Sequence, residues 1–400
     1  LILPLQGLMA ALSYTGIQSA LSRLIASRLA LQEKKEAYFS LVTGIFAAVF
    51  FSAVTGFLLF RHADFFASTI LKAPGTSDLL RLTAASIPLC AIHSCIDSYY
   101  YARKKASVPA AVQLSEQTVR IGATYILYLI FLSEGRPVTA MIAAGGSLAG
   151  EAAASLISLL MVSFHFGNHP VKEKTSFKIF PLIKDLFTLS FPISLNRILL
   201  TLLGSIEAVL IPQMLIRCGM TSSEALKIYG IFTGMALPLL LFPSTITTSA
   251  AVMLMPSVAR MDALGDQKQI RYVTDQTFFL CMFLGFLCGS GFFLFGPFLG
   301  TLLFHSKTAG TYIRYLSFIC PFLYTNTMLA SILQGLGRPG RCLIHSAAGI
   351  LIRIFSVVFM IPAIGIRGYF YGIFLGELLL SLLHVKALKF PYRQAGDNRL

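Results

Sequence analysis

Runs of about 20 apolar residues, each long enough to cross the hydrocarbon core of a bilayer as a helix, recur from one end of this chain to the other. They lie near Leu1 to Ile25, Tyr38 to Phe60, Leu79 to Tyr101, Val108 to Leu132, Val138 to Phe166 and Phe187 to Leu215, then near Ile228 to Met255, Val273 to Leu299, Tyr312 to Leu333, Cys342 to Ile364 and Ile366 to Val385. That makes about eleven spans. A soluble fold has nowhere to put so much apolar surface: 56% of the residues are hydrophobic and only 12% charged, where an ordinary soluble domain carries roughly 25% charged residues. The expected fold class is all-α, a polytopic membrane protein.

A net charge of +15 would point to nucleic acid in a soluble chain, but in a membrane protein it reads first as topology, with no nucleic-acid partner. Lysine and arginine collect in alternate connections: Arg23, Arg28, Lys34 and Lys35; Arg103, Lys104 and Lys105; Lys172, Lys174, Lys178 and Lys184; Arg260, Lys268 and Arg271; Arg338 and Arg341; and the tail. About 20 basic residues fall in this set against roughly 9 in the other. The bias places Lys104, Lys174 and the C-terminus in the cytoplasm, with residue 1, Lys72 and Lys307 outside. An outside start, at a leucine and with no signal peptide, leads to the expectation of a first helix missing from this sequence.

The chain also repeats itself. Residues 88–121 lie over 321–354 without a gap, matching Pro88 to Pro321 and Arg120 to Arg353. Nearly the same offset puts Pro4 over Pro238, and after a short gap GSLAGEAAAS at Gly146 matches GIFLGELLLS at Gly372, pairing Glu151 with Glu377. A period of six helices is even, so the two halves run in the same direction, as parallel repeats do in several secondary transporters. Two pseudo-symmetric bundles are expected: an N-terminal lobe over residues 1–166, a cytoplasmic linker over 167–184, a C-terminal lobe over 185–386 and a cytoplasmic tail over 387–400. The helix from Phe187 to Leu215 then lacks a first-half counterpart, and the offset places that counterpart before Leu1.

Charge within the spans is the strongest functional signal, since each charged side chain at a helix centre costs roughly 2.5 to 3.5 kcal/mol on the insertion scale. Arg120, Arg197 and Arg353 lie too deep for easy snorkelling. Arg120 has Glu116 one turn earlier, in a polar stripe with Gln113 and Gln117; Arg197 shares its helix with Glu207; Arg353 has no acid nearby in sequence. These residues either hold the bundle together through pairs with neighbouring helices or line a cationic cavity for a phosphate-bearing headgroup, which planar guanidinium suits better than ammonium. The candidate substrate-binding set is Arg197, Arg120, Arg353, Glu116 and Glu207, with Arg197 foremost.

Glu151 and Glu377 follow small-xxx-small patterns that suit helix contact equally well. Pro88, Pro192, Pro243 and Pro321 are candidate hinges or static kinks. His93 and His345 are candidate proton carriers, although packing is the commoner role of a lone membrane histidine. The seven cysteines have no paired metal spacing and read as small apolar packing residues. No Walker loop, zinc signature or nucleophile elbow occurs, and the connections are too short for a catalytic domain, so neither a cofactor nor an enzyme activity is expected.

The runs FPISLNRILLTLLGSIEAVLIPQML, EALKIYGIFTGMALPLLLFPSTITTSAAVMLMPSVA, SVPAAVQLSEQTVRI and SILQGLGRPGR resemble the stage V sporulation protein B and oligosaccharide-flippase family, within the multidrug/oligosaccharidyl-lipid/polysaccharide exporter superfamily and related to the lipid II flippases. The resemblance covers essentially the whole chain. It implies two six-helix lobes around a central cavity in a bacterial cell membrane. The implied activity is movement of a lipid-linked saccharide, a peptidoglycan or polysaccharide precursor connected with the spore cortex, by alternating access and with H+ or Na+ as a possible coupling ion. Members usually have about fourteen spans, so this chain departs from the pattern by the first and the last two. Cavity arginines hold the diphosphate in such relatives, a role that the resemblance carries to Arg197. The alternatives are a drug or cation antiporter of the same superfamily, which would draw on Asp97 and Glu116, and a non-transporting partner of a wall-synthesis complex.

Overall fold

The computed structural model describes residues 2–70, 74–135, 137, 139–168 and 179–389. Residues 169–178 of the expected linker, residues 390–400 of the expected tail, Lys72 and Lys174 lie outside the described residues. The described chain is helical throughout, and nine of its helical stretches are long and apolar enough to cross a membrane. The first and fourth apolar windows are helical too, and the seventh, which supplies Ser222–Leu241 among the nine, is divided. The first is divided at Tyr14 into Ile2–Ser13 and Thr15–Ala30. The fourth, Ser107–Ser133, carries the polar stripe of Glu116 and Arg120. The seventh is interrupted at Phe242 and Pro243, between Leu237–Leu241 and Ser244–Ala263, where proline has no N–H to give the ladder and i to i−3 bonds take over.

By their internal contacts, residues 1–201 and 255–266 make one unit, and residues 202–254 and 267–400 another. In the first unit Ile17, Leu21, Leu24, Leu41, Ala91, Ile96 and Leu186 form a buried cluster that also takes in Ala259. In the second, Leu240, Ile313, Leu316, Tyr324 and Tyr369 are at its centre. Hydrocarbon solvates an apolar side chain as well as another helix does, so these contacts depend on close fit and on interhelical hydrogen bonds. The Tyr324 hydroxyl donates to Leu240 O at 2.8 Å, supplying a partner to a carbonyl at a helix end.

Close fit is clearest along Gln267–Phe304, a helix of 38 residues. Gly285, Gly289, Gly296 and Gly300 recur at spacings that keep them on one face. A Cβ at Gly289 would lie 2.9 Å from Ser317 O, and one at Gly296 would lie 3.1 Å from Gly310 O, so the two backbones meet without intervening side chains. Phe279, Phe283, Phe286, Phe295 and Phe298 are exposed, as suits a lipid-facing surface. At about 1.5 Å per residue this helix is also longer than the roughly 30 Å hydrocarbon core, which leaves its polar start, with Lys268 and Arg271, free to stand in the headgroup region.

Each unit contains a second close approach with functional consequences. A Cβ at Gly150 would lie 3.1 Å from Arg120 Cβ, and one at Gly376 would lie 3.5 Å from Arg353 Cγ. The glycine ahead of each glutamate thus lets an arginine-bearing helix come close to a glutamate-bearing one.

Candidate functional site

In the first unit, Ser77–Ala102 presents Cys90, His93 and Asp97 at helical spacing, Ser107–Ser133 brings Glu116 and Arg120, and Ala140–Asn168 brings Glu151. Glu151 takes one bond on each side of its carboxylate: His93 Nε2 lies 2.9 Å from Oε2, and Arg120 Nη2 donates to Oε1 at 3.3 Å. Arg120 also pairs with Glu116, one turn away on its own helix. His93 Nδ1 faces Asp97 Oδ2 at 3.7 Å, too long for a hydrogen bond. Glu116 and Glu151 are buried, at 7% and 8% exposure. Two carboxylates, Glu116 and Glu151, therefore share the Arg120 guanidinium, and the His93 imidazole lies between Glu151 and the third carboxylate, Asp97.

In the second unit, Arg353 makes a bidentate pair with Glu207, Nε to Oε1 at 2.9 Å and Nη2 to Oε2 at 2.6 Å, and Nη2 also donates to the Tyr369 hydroxyl at 3.0 Å. Glu377 accepts from Asn326 Nδ2 at 2.8 Å. A fork-on-fork pair of this kind satisfies both charges inside the bilayer and fixes the orientation of the Pro339–Phe355 and Ile366–Lys389 helices against the segment carrying Glu207.

The five singled-out residues thus fall into three groups: Arg120 with Glu116, Arg353 with Glu207, and Arg197 apart from both. Glu207 shares a helix with Arg197, yet its partner is Arg353. Arg197 is an exposed side chain on Ile179–Arg217, and no carboxylate pairs with it among the described residues. Its sequence neighbour Asn196 keeps a buried Oδ1 with no hydrogen-bond partner. Tyr14 lies within electrostatic range of both Arg197 and Glu151. Chemically, Arg197 offers a permanent charge and a donor fork to an anion, whereas the guanidiniums of Arg120 and Arg353 are already engaged.

Tyr369 and Asn326 were not apparent as site residues from sequence. The available signal was a polar side chain within an apolar run, which for Asn326 alone would have been worth following. Pro88 lies inside the Ser77–Ala102 helix, two residues ahead of Cys90.

Comparison with known proteins adds three findings. The model of the family described as polysaccharide biosynthesis protein matches residues 1–262. The stage V sporulation protein B of Bacillus subtilis (strain 168) is 28% identical over 385 residues, which cover 93% of this chain and 73% of that protein; sporulation protein YkvU of the same organism is 26% identical over 223 residues, covering 54% and 50%. The fold is similar to that of the Vibrio cholerae MATE transporter VcmN in its bent form, with a TM-score of 0.80 at 15% identity over 96% of this chain and 87% of that one. It is also similar to a MOP superfamily transporter from Pyrococcus furiosus described for the reverse polarity of its binding pocket, with a TM-score of 0.73 at 15% identity over 97% and 87%.

Proposed function

Because the chain belongs to the polysaccharide biosynthesis protein family and has the fold of a multi-pass membrane transporter, we propose that it moves a lipid-linked saccharide across a bacterial cell membrane by alternating access. The observation that carries this reading is Arg197, a guanidinium within an apolar span that has no acid to neutralise it among the described residues. Such a charge is costly unless an anion uses it. A diphosphate linking sugar to lipid suits the donor fork, the lipid chain can remain in the bilayer, and exchange between two conformations carries the headgroup across. H+ or Na+ is the proposed coupling ion.

The test is reconstitution of the purified chain in vesicles with a fluorescent lipid-linked saccharide in the inner leaflet. Time-dependent exposure of the headgroup to an impermeant quencher is expected. Vesicles that remain protected at the rate of protein-free controls would count against the proposal.

A second reading, drug or cation antiport, is favoured by the acids Asp97, Glu116 and Glu151 gathered in the first unit. Arg120 and His93 occupy much of their capacity, which makes this reading the weaker one. Uptake of a lipophilic cation into the same vesicles, with no saccharide exposure, would select it.

The orientation proposed from charge bias puts Lys104 in the cytoplasm and Lys307 outside. Single cysteines at these positions, in a background with the seven native cysteines replaced, are expected to react with an impermeant maleimide in intact cells at 307 but not at 104. The opposite pattern inverts the topology.

A further inference from the structure

Cys90, His93 and Glu151 bring a sulfur, a nitrogen and an oxygen within 4.8 Å of one another. Cys90 and His93 stand three residues apart on Ser77–Ala102, and Glu151 reaches them from Ala140–Asn168, whose Gly150 admits the close approach of the helix carrying Arg120. Thiolate, imidazole and carboxylate together are the donor set of zinc and its first-row neighbours, and three protein ligands with one open position is a recurrent arrangement.

Two further observations point to a cation. Glu116 and Glu151 share the Arg120 guanidinium, and His93 lies between Glu151 and Asp97, so three carboxylates gather round one guanidinium and one imidazole. His93 Nδ1 and Asp97 Oδ1 are both buried without a hydrogen-bond partner. A metal at His93 Nε2 would leave the proton on Nδ1, and Asp97, whose Oδ2 lies 3.7 Å away, would accept it after a small approach, giving the carboxylate–histidine–metal arrangement that fixes the tautomer and ring orientation of a ligand. Arg120 holds Glu151 by Oε1, leaving Oε2 turned towards His93 Nε2. The histidine and glutamate side chains retain 14% and 11% exposure, so the group is not sealed off by protein.

We propose that Cys90, His93 and Glu151 form a binding site for a zinc-class divalent metal ion, with Asp97 and Arg120 positioning its ligands. Binding replaces the His93–Glu151 hydrogen bond with two metal bonds, releases the Cys90 thiol proton to solvent, and clamps Ser77–Ala102 to Ala140–Asn168. The site is independent of saccharide transport, and its test uses no transport readout.

Co2+ alone is titrated into the purified full chain in detergent. A thiolate-to-cobalt charge-transfer band in the near ultraviolet is expected to saturate at one ion per chain, together with a raised melting temperature. Cys90→Ser should abolish the band and the thermal shift, and Cys218→Ser, which changes a thiol outside the cluster, should leave both. Asp97→Asn should keep the band and lower affinity roughly 10- to 100-fold. Should Cys90→Ser fail to fold, His93→Gln, with every thiol intact, should reduce the band to the level of non-saturable binding. No saturable band in the unaltered chain, or a band undiminished by Cys90→Ser or His93→Gln, overturns the site.

Discussion

Arg353→Ala is expected to destabilise the protein by about 3–5 kcal/mol, because it strands the Glu207 carboxylate, 8% exposed, inside the bundle with only neutral partners such as the Tyr369 hydroxyl beside it. Loss of a partner from a buried pair costs more than loss of the pair, since the surviving charge keeps its desolvation penalty and loses its compensation. Arg353→Ala with Glu207→Gln should therefore recover most of the lost stability. Melting temperatures of detergent-purified single and double variants read this directly, and an Arg353→Ala protein that melts like the unaltered chain would remove the structural role of the pair. Transport of the double variant supplies the second half of the result: normal stability with normal flipping makes the pair a fastener only, and normal stability without flipping gives Arg353 a part in transport.

Arg197→Ala is expected to have the reverse profile, with stability retained and transport lost. No carboxylate among the described residues depends on this guanidinium, so its removal leaves no stranded acid. If it holds a diphosphate through two charge-assisted hydrogen bonds at about 1.5–3 kcal/mol each, alanine weakens headgroup binding by roughly 100-fold or more. Arg197→Lys should restore transport only in part, because a point charge cannot reproduce the two-pronged contact. Flipping rate and melting temperature measured on the same preparations separate the readings. A fall in stability equal to that of Arg353→Ala would make Arg197 a structural residue, and unchanged flipping in Arg197→Ala would end its assignment to the headgroup.

These contrasting profiles could not be assigned from sequence, where the three intramembrane arginines look alike. The Glu116–Arg120 pair was legible because its members are one helical turn apart, so helix geometry alone brings them together. The partner of Arg353 is 146 residues away, and the nearer reading, which set Glu207 beside Arg197 on one helix, concerned two side chains separated by nearly three turns. The same limit applied to Cys90, His93 and Glu151: two of the three share a helix, but the third comes 58 residues after His93, and no spacing rule within a single segment could have found it.

The sequence by itself determined that the chain is helical, that it spans the membrane many times and that it resembles a flippase family. Segment hydropathy and the bilayer's demand for internally satisfied backbone act locally, within each stretch of about 20 residues. Tertiary structure alone decided which of the intramembrane arginines are paired with acids and which, among the described residues, is not. Pairing depends on the faces that helices turn towards one another, and glycines such as Gly150 and Gly376 control how closely those faces meet. Lipid gives apolar faces no preference for one helix over another, so close packing and the matching of scarce polar groups select the neighbours, and both are properties of the assembled bundle.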